Sequence, residues 1–159
     1  MLNILEKKIR EDRSEFHFLL FLDIDHFKDV NDSLGHDVGD RMIRHVCEQI
    51  VSCIRKSDVI GRLGGDEILV LLDSAGTKQN ALKIAENILR QCRNTLHSSD
   101  LHVSVTVSIG LATCGACRSA SEWINSADSA LYKAKQSGRN CIKSNDSKIE
   151  DNYLQAIRV

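Results

Sequence analysis

The amino-acid sequence predicts an α/β protein in which helices flank a mixed β-sheet. Apolar runs with strand character alternate along the chain with segments whose apolar residues recur at helical spacing. A tight hairpin interrupts this alternation, so antiparallel neighbours are expected in the sheet as well. The chain has 159 residues, which is the size of one domain with its own core.

The first third of the chain predicts a helix, a buried strand and a longer second helix. Residues 1–11 place apolar side chains on one helical face, and residues 16–24 form a nearly continuous apolar run typical of a strand covered on both faces. Residues 25–40 are polar and rich in Asp, and predict a helix and a loop. Residues 38–54 have apolar side chains every three or four positions, which is the pattern of an amphipathic helix.

The remaining elements are predicted from the same patterns. Strands near residues 59–62 and 67–73 flank a Gly-Gly pair and predict a hairpin. The later elements are a helix at 78–97, a β-branched strand at 102–112, a capped helix at 119–138 and a short strand at 140–144. We expect residues 1–145 to form the domain and residues 146–159 to form a polar tail.

Composition and charge argue against several kinds of partner. The formal net charge is −1, and neither nucleic acid nor an anionic membrane is expected as a partner, because both select basic surfaces. The sequence has no apolar run near the roughly 18 residues that span a bilayer. Its N-terminus lacks the apolar core of a signal peptide. We therefore expect a domain without membrane contact, located in the cytoplasm.

The chain has six cysteines, of which only Cys114 and Cys117 have the spacing of a redox or metal pair. No second Cys or His pair stands at partner spacing, so a structural zinc site has little support. Because no secretion signal is recognisable, we expect reduced, structural cysteines.

Acidic residues stand where two predicted strands meet turns. Asp23 ends the first buried strand, and Asp66 and Glu67 open the strand after the hairpin turn. If these strands are neighbours, three carboxylates meet at one edge of the sheet and require a cation or a proton between them. Such oxygen ligands favour Mg²⁺ or Mn²⁺, with substrate phosphates completing the shell, and Gly64 and Gly65 would let the backbone approach a nucleotide. The alternative, an ordinary turn residue followed by a solvated charge, stays open on these residues alone.

Four stretches of the sequence resemble the GGDEF domain of bacterial diguanylate cyclases. They are "FLDIDHFKDVNDSLGHDVGD", "RLGGDE", "VTVSIGLA" and "ADSALYKAKQSGRN", which follow one another in the family's order. The resemblance implies a mixed five-stranded sheet similar to the palm of nucleotidyl cyclases and polymerases. It also implies condensation of two GTP molecules into cyclic di-GMP with release of pyrophosphate. Since each domain binds one GTP, a transient homodimer is implied as well.

The same resemblance assigns a metal site to the acidic edge. It implies that Asp23, Asp66 and the backbone carbonyl of Ile24 hold Mg²⁺ or Mn²⁺, with assistance from Glu67. Asp66 is further implied as the base near the attacking 3′-hydroxyl. Polarisation of the α-phosphate by the metal, together with in-line geometry, would supply most of the rate.

Substrate contacts are implied on the helices. Asn31 and Asp40 would select guanine, because one carboxylate can accept both N–H donors of its Watson–Crick edge. His36 would lie by the ribose or the phosphates. The cations facing the triphosphate would be Lys28, Lys135 and Arg139. The last two stand four positions apart near a helix end, a spacing that predicts both cations on one side. Without the resemblance, residues of these types are equally typical of helix caps and solvated charges.

The stretch "RKSD", from Arg55 to Asp58, stands at the spacing of the family's inhibitory site, where RxxD binds cyclic di-GMP. Arg can stack on guanine and fork to phosphate, while Asp accepts guanine N–H groups. The alternative is a surface ion pair worth at most ~1 kcal/mol.

The sequence departs from the family pattern at two places. Ile68 stands where the family usually has Phe, and we expect activity to survive because the position requires a large buried side chain. The family's "DxLTGLxNR" segment before the first helix is absent, so we expect the domain to be truncated at its N-terminal edge and a sensor module to be missing upstream.

Three functions compete at this point. The leading hypothesis is an active diguanylate cyclase. A second is a catalytically inactive receptor for GTP or cyclic di-GMP, favoured by Ile68 and by the intact Arg55 and Asp58. A third is another nucleotidyl cyclase or phosphotransferase on a similar palm, against which Asn31 and Asp40 argue.

Overall fold

The computed structural model describes residues 1–11, 17–93, 96–98, 101–115 and 117–145. Its helices are α1 (Leu2–Glu11), α2 (Phe27–Leu34), α3 (His36–Cys53), α4 (Lys78–Cys92) and α5 (Ala120–Gln136). Its strands are β1 (Phe18–Ile24), β2 (Val59–Gly64), β3 (Glu67–Leu72), β4 (Leu96–Ser98), β5 (Leu101–Val103), β6 (Val107–Thr113) and β7 (Ile142–Ser144). Within these ranges no helix has the length and apolar character needed to cross a bilayer. The predicted polar tail lies outside the described residues.

Five strands form the main sheet in the order β2-β3-β1-β6-β7. β1 pairs antiparallel with both β3 and β6, β2 pairs antiparallel with β3, and β7 runs parallel to β6. The predicted mixed five-stranded sheet flanked by helices is thereby confirmed. Every residue of the central strand β1 is buried, which explains why its sequence is almost continuously apolar.

Helices cover both faces of the sheet. Leu20 and Leu22 of β1 face a cluster built with α3 and α4, while Leu19 and Phe21 face a second cluster built with α1 and α5. Trp123 of α5 is fully buried in the second cluster, and its indole N–H donates to the carbonyl of Ala112 at 3.1 Å. This bond satisfies the single polar group that the Trp side chain carries into the core.

Some predicted boundaries are wrong in the second half of the chain. The helix expected at 78–97 ends at Cys92, and β4 follows it. The single strand expected at 102–112 is divided into β5, which pairs with β4 in a separate two-stranded sheet, and β6, which joins the main sheet. Because Leu96 continues the apolar spacing of α4, periodicity could not show where the helix ends.

The Asp-rich segment after β1 is largely helical. It forms α2, after which Gly35 turns the chain with a φ of 87°. That conformation is favourable for glycine and rare for other residues. α3 then begins at His36, two residues earlier than the apolar spacing from Val38 predicts.

Cysteines contribute to the core. None of the six, all of which the structure describes, takes part in a disulfide. Burial raises the pKa of the Cys92 thiol to about 12, and the neighbouring Cys53 and Cys47 thiols act in the same direction. Cys114 and Cys117 are both buried at the turn after β6, where the Cys117 N–H donates to the Cys114 carbonyl at 2.9 Å.

A glycine sets how closely α5 packs on the sheet. A Cβ added to Gly110 of β6 would collide with the carbonyl oxygen of Ala127 and the backbone nitrogen of Leu131. The obstructing atoms are backbone, so no side-chain rotation can make room for a methyl group. The backbone of α5 therefore lies directly against β6, and this contact fixes the position of the helix relative to the sheet.

We predict that Gly110→Ala lowers the free energy of unfolding by about 3 kcal/mol, the upper end for overpacked cores, because the helix must move to admit the methyl group. Urea unfolding followed by circular dichroism measures this. Gly64→Ala is the matched control, because a Cβ there meets open space. Equal stabilities of the two variants would contradict the close packing of α5.

Candidate functional site

The candidate site lies at the rim of the sheet, where β1 ends beside the β2–β3 hairpin. In the strand register Asp23 stands opposite Glu67 of β3 and opposite Ser108 of β6. Since side chains alternate along a strand, Asp23 shares a sheet face with Leu19 and Phe21, the face that α1 and α5 cover. The two strand ends that carry the predicted acids are therefore direct neighbours.

The hairpin turn presents the second acidic group. Residues 65 and 66 form the turn between the paired residues Gly64 and Glu67. Gly65 has a φ of 53°, in the left-handed region that favours glycine, and its carbonyl accepts a hydrogen bond from Arg62 Nε at 2.7 Å. A Cβ on either glycine would meet open space, so the tip is accessible to a ligand. Asp66 is half-buried at the rim and Glu67 is exposed.

Asp23 is the electrostatic centre of the rim. Its side chain is only 12% exposed, and its Oδ2 forms an ion pair with Lys135 Nζ of α5 at 2.9 Å. Burial raises the pKa of the Asp23 carboxyl above its ordinary value of 3.8. The hydrogen bond and charge of Lys135 lower it again, while the negative charges of Asp66 and Asp25 raise it. The positive charge of Lys135 therefore offsets only part of the burial and the negative charges that disfavour ionised Asp23.

The donor set at the rim fits a divalent cation whose shell a substrate completes. Among the described residues no three His, Cys, Asp or Glu side chains are gathered closely enough to hold an ion by themselves. Asp23 and Asp66 nevertheless interact electrostatically, and the carbonyl of Ile24 follows on the same strand end. Mg²⁺ is commonly bound by one or two carboxylates together with substrate phosphates and water. The residues present are compatible with such a site.

The helical pair α2–α3 carries the predicted guanine contacts. Asn31 of α2 packs against Gly39 of α3 so closely that a Cβ on this glycine would overlap the Asn31 Oδ1 atom. That oxygen is buried and has no hydrogen-bond partner among the residues that the structure describes. Asp40 follows Gly39 along α3 and is exposed, as are His36 at the start of α3 and Lys28 on α2. The structure thus brings Asn31 next to the segment that carries Asp40.

The two predicted phosphate-binding cations at the end of α5 are arranged differently from the prediction. Lys135 lies in the last turn of α5 and reaches Asp23. Arg139 lies outside the helix, because α5 ends at Gln136, and it has a left-handed conformation with a φ of 62°. The expected placement of both cations on one helical side is therefore wrong. A groove of about 490 Å³ between Glu67 and α5 reaches Lys135 from the solvent.

The predicted inhibitory pair forms a closed turn. Asp58 Oδ2 accepts the backbone N–H of Arg55 at 2.8 Å, and the Asp58 N–H donates to the Arg55 carbonyl at 3.0 Å. The other oxygen, Oδ1, accepts the N–H of Asp73 after β3 at 2.9 Å. The Asp58 carboxylate therefore stabilises the backbone where the chain enters and where it leaves the hairpin. The sequence did not show this role. Arg55 itself is exposed.

Asp25 is a buried carboxylate that the sequence analysis left without a role. It is 5% exposed and accepts hydrogen bonds from Ser108 Oγ at 2.7 Å and Thr106 Oγ1 at 2.8 Å. Its backbone N–H donates to the Thr106 carbonyl at 2.9 Å. A second Asp directly after the buried strand was visible as "DID", but its partners lie more than 80 positions away and could not be inferred.

Comparison with known proteins agrees with this geometry. The family model described as "Diguanylate cyclase, GGDEF domain" matches residues 1–141. The chain is 44% identical over 124 residues to the probable diguanylate cyclase DgcC of Escherichia coli, an alignment that covers 77% of this chain and 33% of DgcC. The chain thus spans about a third of the length of this relative.

Solved structures agree in fold. The GGDEF domain of TpbB from Pseudomonas aeruginosa has a TM-score of 0.86 at 32% identity, covering 96% of this chain and 91% of that one. The GGDEF domain of DgcB from Caulobacter crescentus, solved in complex with c-di-GMP, has a TM-score of 0.84 at 28% identity, covering 91% and 88%. The sequence resemblance is confirmed, and this chain belongs to the GGDEF domain family of diguanylate cyclases.

Proposed function

We propose that this domain is an active diguanylate cyclase that condenses two GTP molecules into cyclic di-GMP and releases pyrophosphate. The observation that carries the proposal is the buried carboxylate of Asp23 beside Asp66 at the hairpin rim, with Lys135 as its counter-ion. Carboxylates persist in such surroundings where a site binds a cation. Cyclases of this family generally depend on a divalent metal, and we assign Mg²⁺ or Mn²⁺ here.

Guanine recognition is assigned to the helical pair α2–α3. Within the described part of the chain the buried Oδ1 of Asn31 has no donor, and guanine offers the N–H groups of its Watson–Crick edge. A buried acceptor without a partner costs about 1–3 kcal/mol, and a base that reached this oxygen would offset that cost. Asp40, one position beyond Gly39, is assigned as the carboxylate for the same edge, and His36 at the start of α3 is assigned to the ribose or the phosphates.

The remaining site residues are assigned to metal binding, proton transfer and the triphosphate. The metal would be held by Asp23, Asp66 and the Ile24 carbonyl, with Glu67 at its margin, and when bound it polarises the α-phosphate. Asp66 accepts the proton of the attacking 3′-hydroxyl. Lys28, Lys135 and Arg139 neutralise the triphosphate, and Gly64 and Gly65 let the nucleotide approach the hairpin backbone.

Bond formation needs two such sites. Each domain supplies one GTP, so two copies must face each other and exchange nucleotides across a transient homodimer. The synthesis rate is therefore expected to increase with the square of protein concentration when dimers are scarce.

A catalytically inactive receptor is the second candidate. Ile68, in the position of the family's usual Phe, is 1% exposed and stands opposite Leu22 of β1. The Ile side chain is smaller than a Phe ring and would leave the hairpin less tightly packed. Such a domain would bind GTP or cyclic di-GMP and signal through a partner.

Incubation with GTP and Mg²⁺, followed by chromatography of the nucleotides, separates these functions. We predict cyclic di-GMP as the product, and a loss of at least about 100-fold on Asp66→Ala, because the variant lacks both a metal ligand and the base. Glu48→Ala, which removes an exposed carboxylate of α3, is the control and should keep the rate. Unchanged synthesis by Asp66→Ala would refute the site. Tight binding of cyclic di-GMP without turnover at high protein concentration would indicate the receptor.

Asp23 gives a prediction on stability and pH. Because its folded-state pKa is raised, the folded protein holds more protons than the unfolded chain just above pH 3.8, and stability falls as the pH rises through that window. At pH 7 Asp23 is ionised, and its buried charge lowers the free energy of unfolding. We expect Asp23→Asn to raise the melting temperature of the metal-free protein by about 2–4 °C.

The same variant should also lose the stabilisation that Mg²⁺ and a non-hydrolysable GTP analogue give the wild-type protein. Scanning calorimetry with and without these ligands measures both effects. Glu48→Gln neutralises an exposed carboxylate and should change neither. A lower melting temperature at pH 7, or an undiminished response to metal and nucleotide, would argue against Asp23 as a buried metal ligand.

We further propose that Arg55 and Asp58 bind cyclic di-GMP as an inhibitory site. The closed turn holds the exposed Arg55 at a fixed place beside β2, and its guanidinium can stack on a guanine base. We predict that Arg55→Ala raises the inhibitory concentration of cyclic di-GMP about tenfold or more, because a charge-assisted contact is lost. Lys56→Ala, which removes the adjacent exposed cation, is the control. An inhibition curve of Arg55→Ala that matches the wild type would exclude this site.

A further inference from the structure

The segment after α5 contains two consecutive residues in an uncommon backbone conformation. Arg139 and Asn140 have φ values of 62° and 47°, in the left-handed region. For residues other than glycine this conformation is unfavourable, and it persists where surrounding contacts hold it. The Arg139 N–H donates to the Ala134 carbonyl at 3.2 Å, which folds the segment back over the end of α5.

Asp25 holds one side of this segment. The backbone N–H of Asn140 donates to Asp25 Oδ2 at 3.0 Å. Asp25 is itself fixed by the hydroxyl groups of Ser108 and Thr106, so the contact joins the segment to the ends of β1 and β6. A carboxylate that accepts several hydrogen bonds and is almost fully buried is a rigid anchor.

Arg93, just beyond the C-terminal end of α4, holds the other side. Its Nε donates to Asn140 Oδ1 at 2.9 Å, and its Nη2 donates to the Asn140 carbonyl at 3.4 Å. Together with Asp25, it engages the backbone N–H, the carbonyl and the side-chain oxygen of Asn140. Asn140 is thus clamped between two elements that are far apart in the sequence.

The residue next to this clamp is free to bind a ligand. Arg139 is exposed, and within the described ranges its guanidinium makes no hydrogen bond or ion pair. Since the backbone of Arg139 continues directly into the clamped Asn140, the clamp fixes the direction in which the Arg139 side chain leaves the backbone. An arginine on an ordered backbone loses less conformational entropy when it binds phosphate than one on a freely moving segment.

We propose that Arg93 is a positioning residue for triphosphate recognition, acting with Asp25 through Asn140 to orient Arg139 toward the outer phosphates of the nucleotide. This inference rests on the proposed binding of GTP at the rim. It assigns a role in substrate affinity to the residue that follows α4, a helix that carries none of the residues assigned to the site.

The test compares Arg93→Gln with Arg90→Gln in the complete chain. Arg90 lies one turn earlier and donates to Asn87 Oδ1 at 2.7 Å, so its replacement removes a similar local contact away from the clamp. Isothermal titration with Mg²⁺ and a non-hydrolysable GTP analogue gives the affinity. GMP, which lacks the two outer phosphates, serves as the second probe.

We expect Arg93→Gln to weaken binding of the GTP analogue about three- to tenfold, and Arg139→Ala to weaken it about tenfold or more. Binding of GMP by Arg93→Gln and binding of either ligand by Arg90→Gln should stay within about twofold of the wild type. In the Arg139→Ala background, Arg93→Gln should add no further loss, because Arg93 acts only through Arg139.

Three results would overturn the inference. They are an unchanged affinity of Arg93→Gln for the GTP analogue, an equal loss for GMP, and an undiminished effect of Arg93→Gln in the Arg139→Ala background. Each of these results is compatible with GTP binding by the wild-type protein and refutes only the role of Arg93. A wild-type protein that binds no GTP analogue with Mg²⁺ would remove the proposed function and this inference together.

Discussion

The ion pair between Asp23 and Lys135 is the contact on which the geometry of the site depends. It joins the end of the central strand to the last turn of α5 at 2.9 Å. That reach is possible because Gly110 lets the backbone of α5 lie directly on β6. The position of a cationic side chain at the rim therefore follows from a packing contact within the core, at the β6 position that pairs with Phe21.

The pair also explains how an acidic rim is tolerated before any ligand arrives. Asp23 is buried, and the negative charges of Asp66 and Asp25 act on it. One lysine offsets part of this repulsion, and the pKa of Asp23 stays above its ordinary value. In the proposed bound state a divalent ion would supply more positive charge, and the triphosphate would supply a new anionic partner for Lys135. The resting pair and the proposed bound state thus use the same two side chains in different combinations.

The sequence predicted the parts of the site that local pattern determines. Asp23 stands at the end of a continuously apolar strand and Asp66 in a Gly-containing hairpin turn, so local pattern predicts both at strand ends. Only the register of the folded sheet shows that these strands are neighbours. Long-range contacts were not predictable in this way. Asp25, Asn140 and Arg93 meet only after the fold is complete, and the helix end at Cys92 is hidden because Leu96 prolongs the apolar spacing of α4.

The decisive measurement is a crystal structure of this chain with Mg²⁺ and a non-hydrolysable GTP analogue. We expect oxygens of Asp23 and Asp66 to coordinate the ion at about 2.0–2.1 Å, the usual distance for Mg²⁺. Lys135 should leave Asp23 for a phosphate oxygen, with the base between α2 and α3. An ion bound elsewhere, or a nucleotide that lodges away from the rim while Lys135 stays on Asp23, would contradict this expectation.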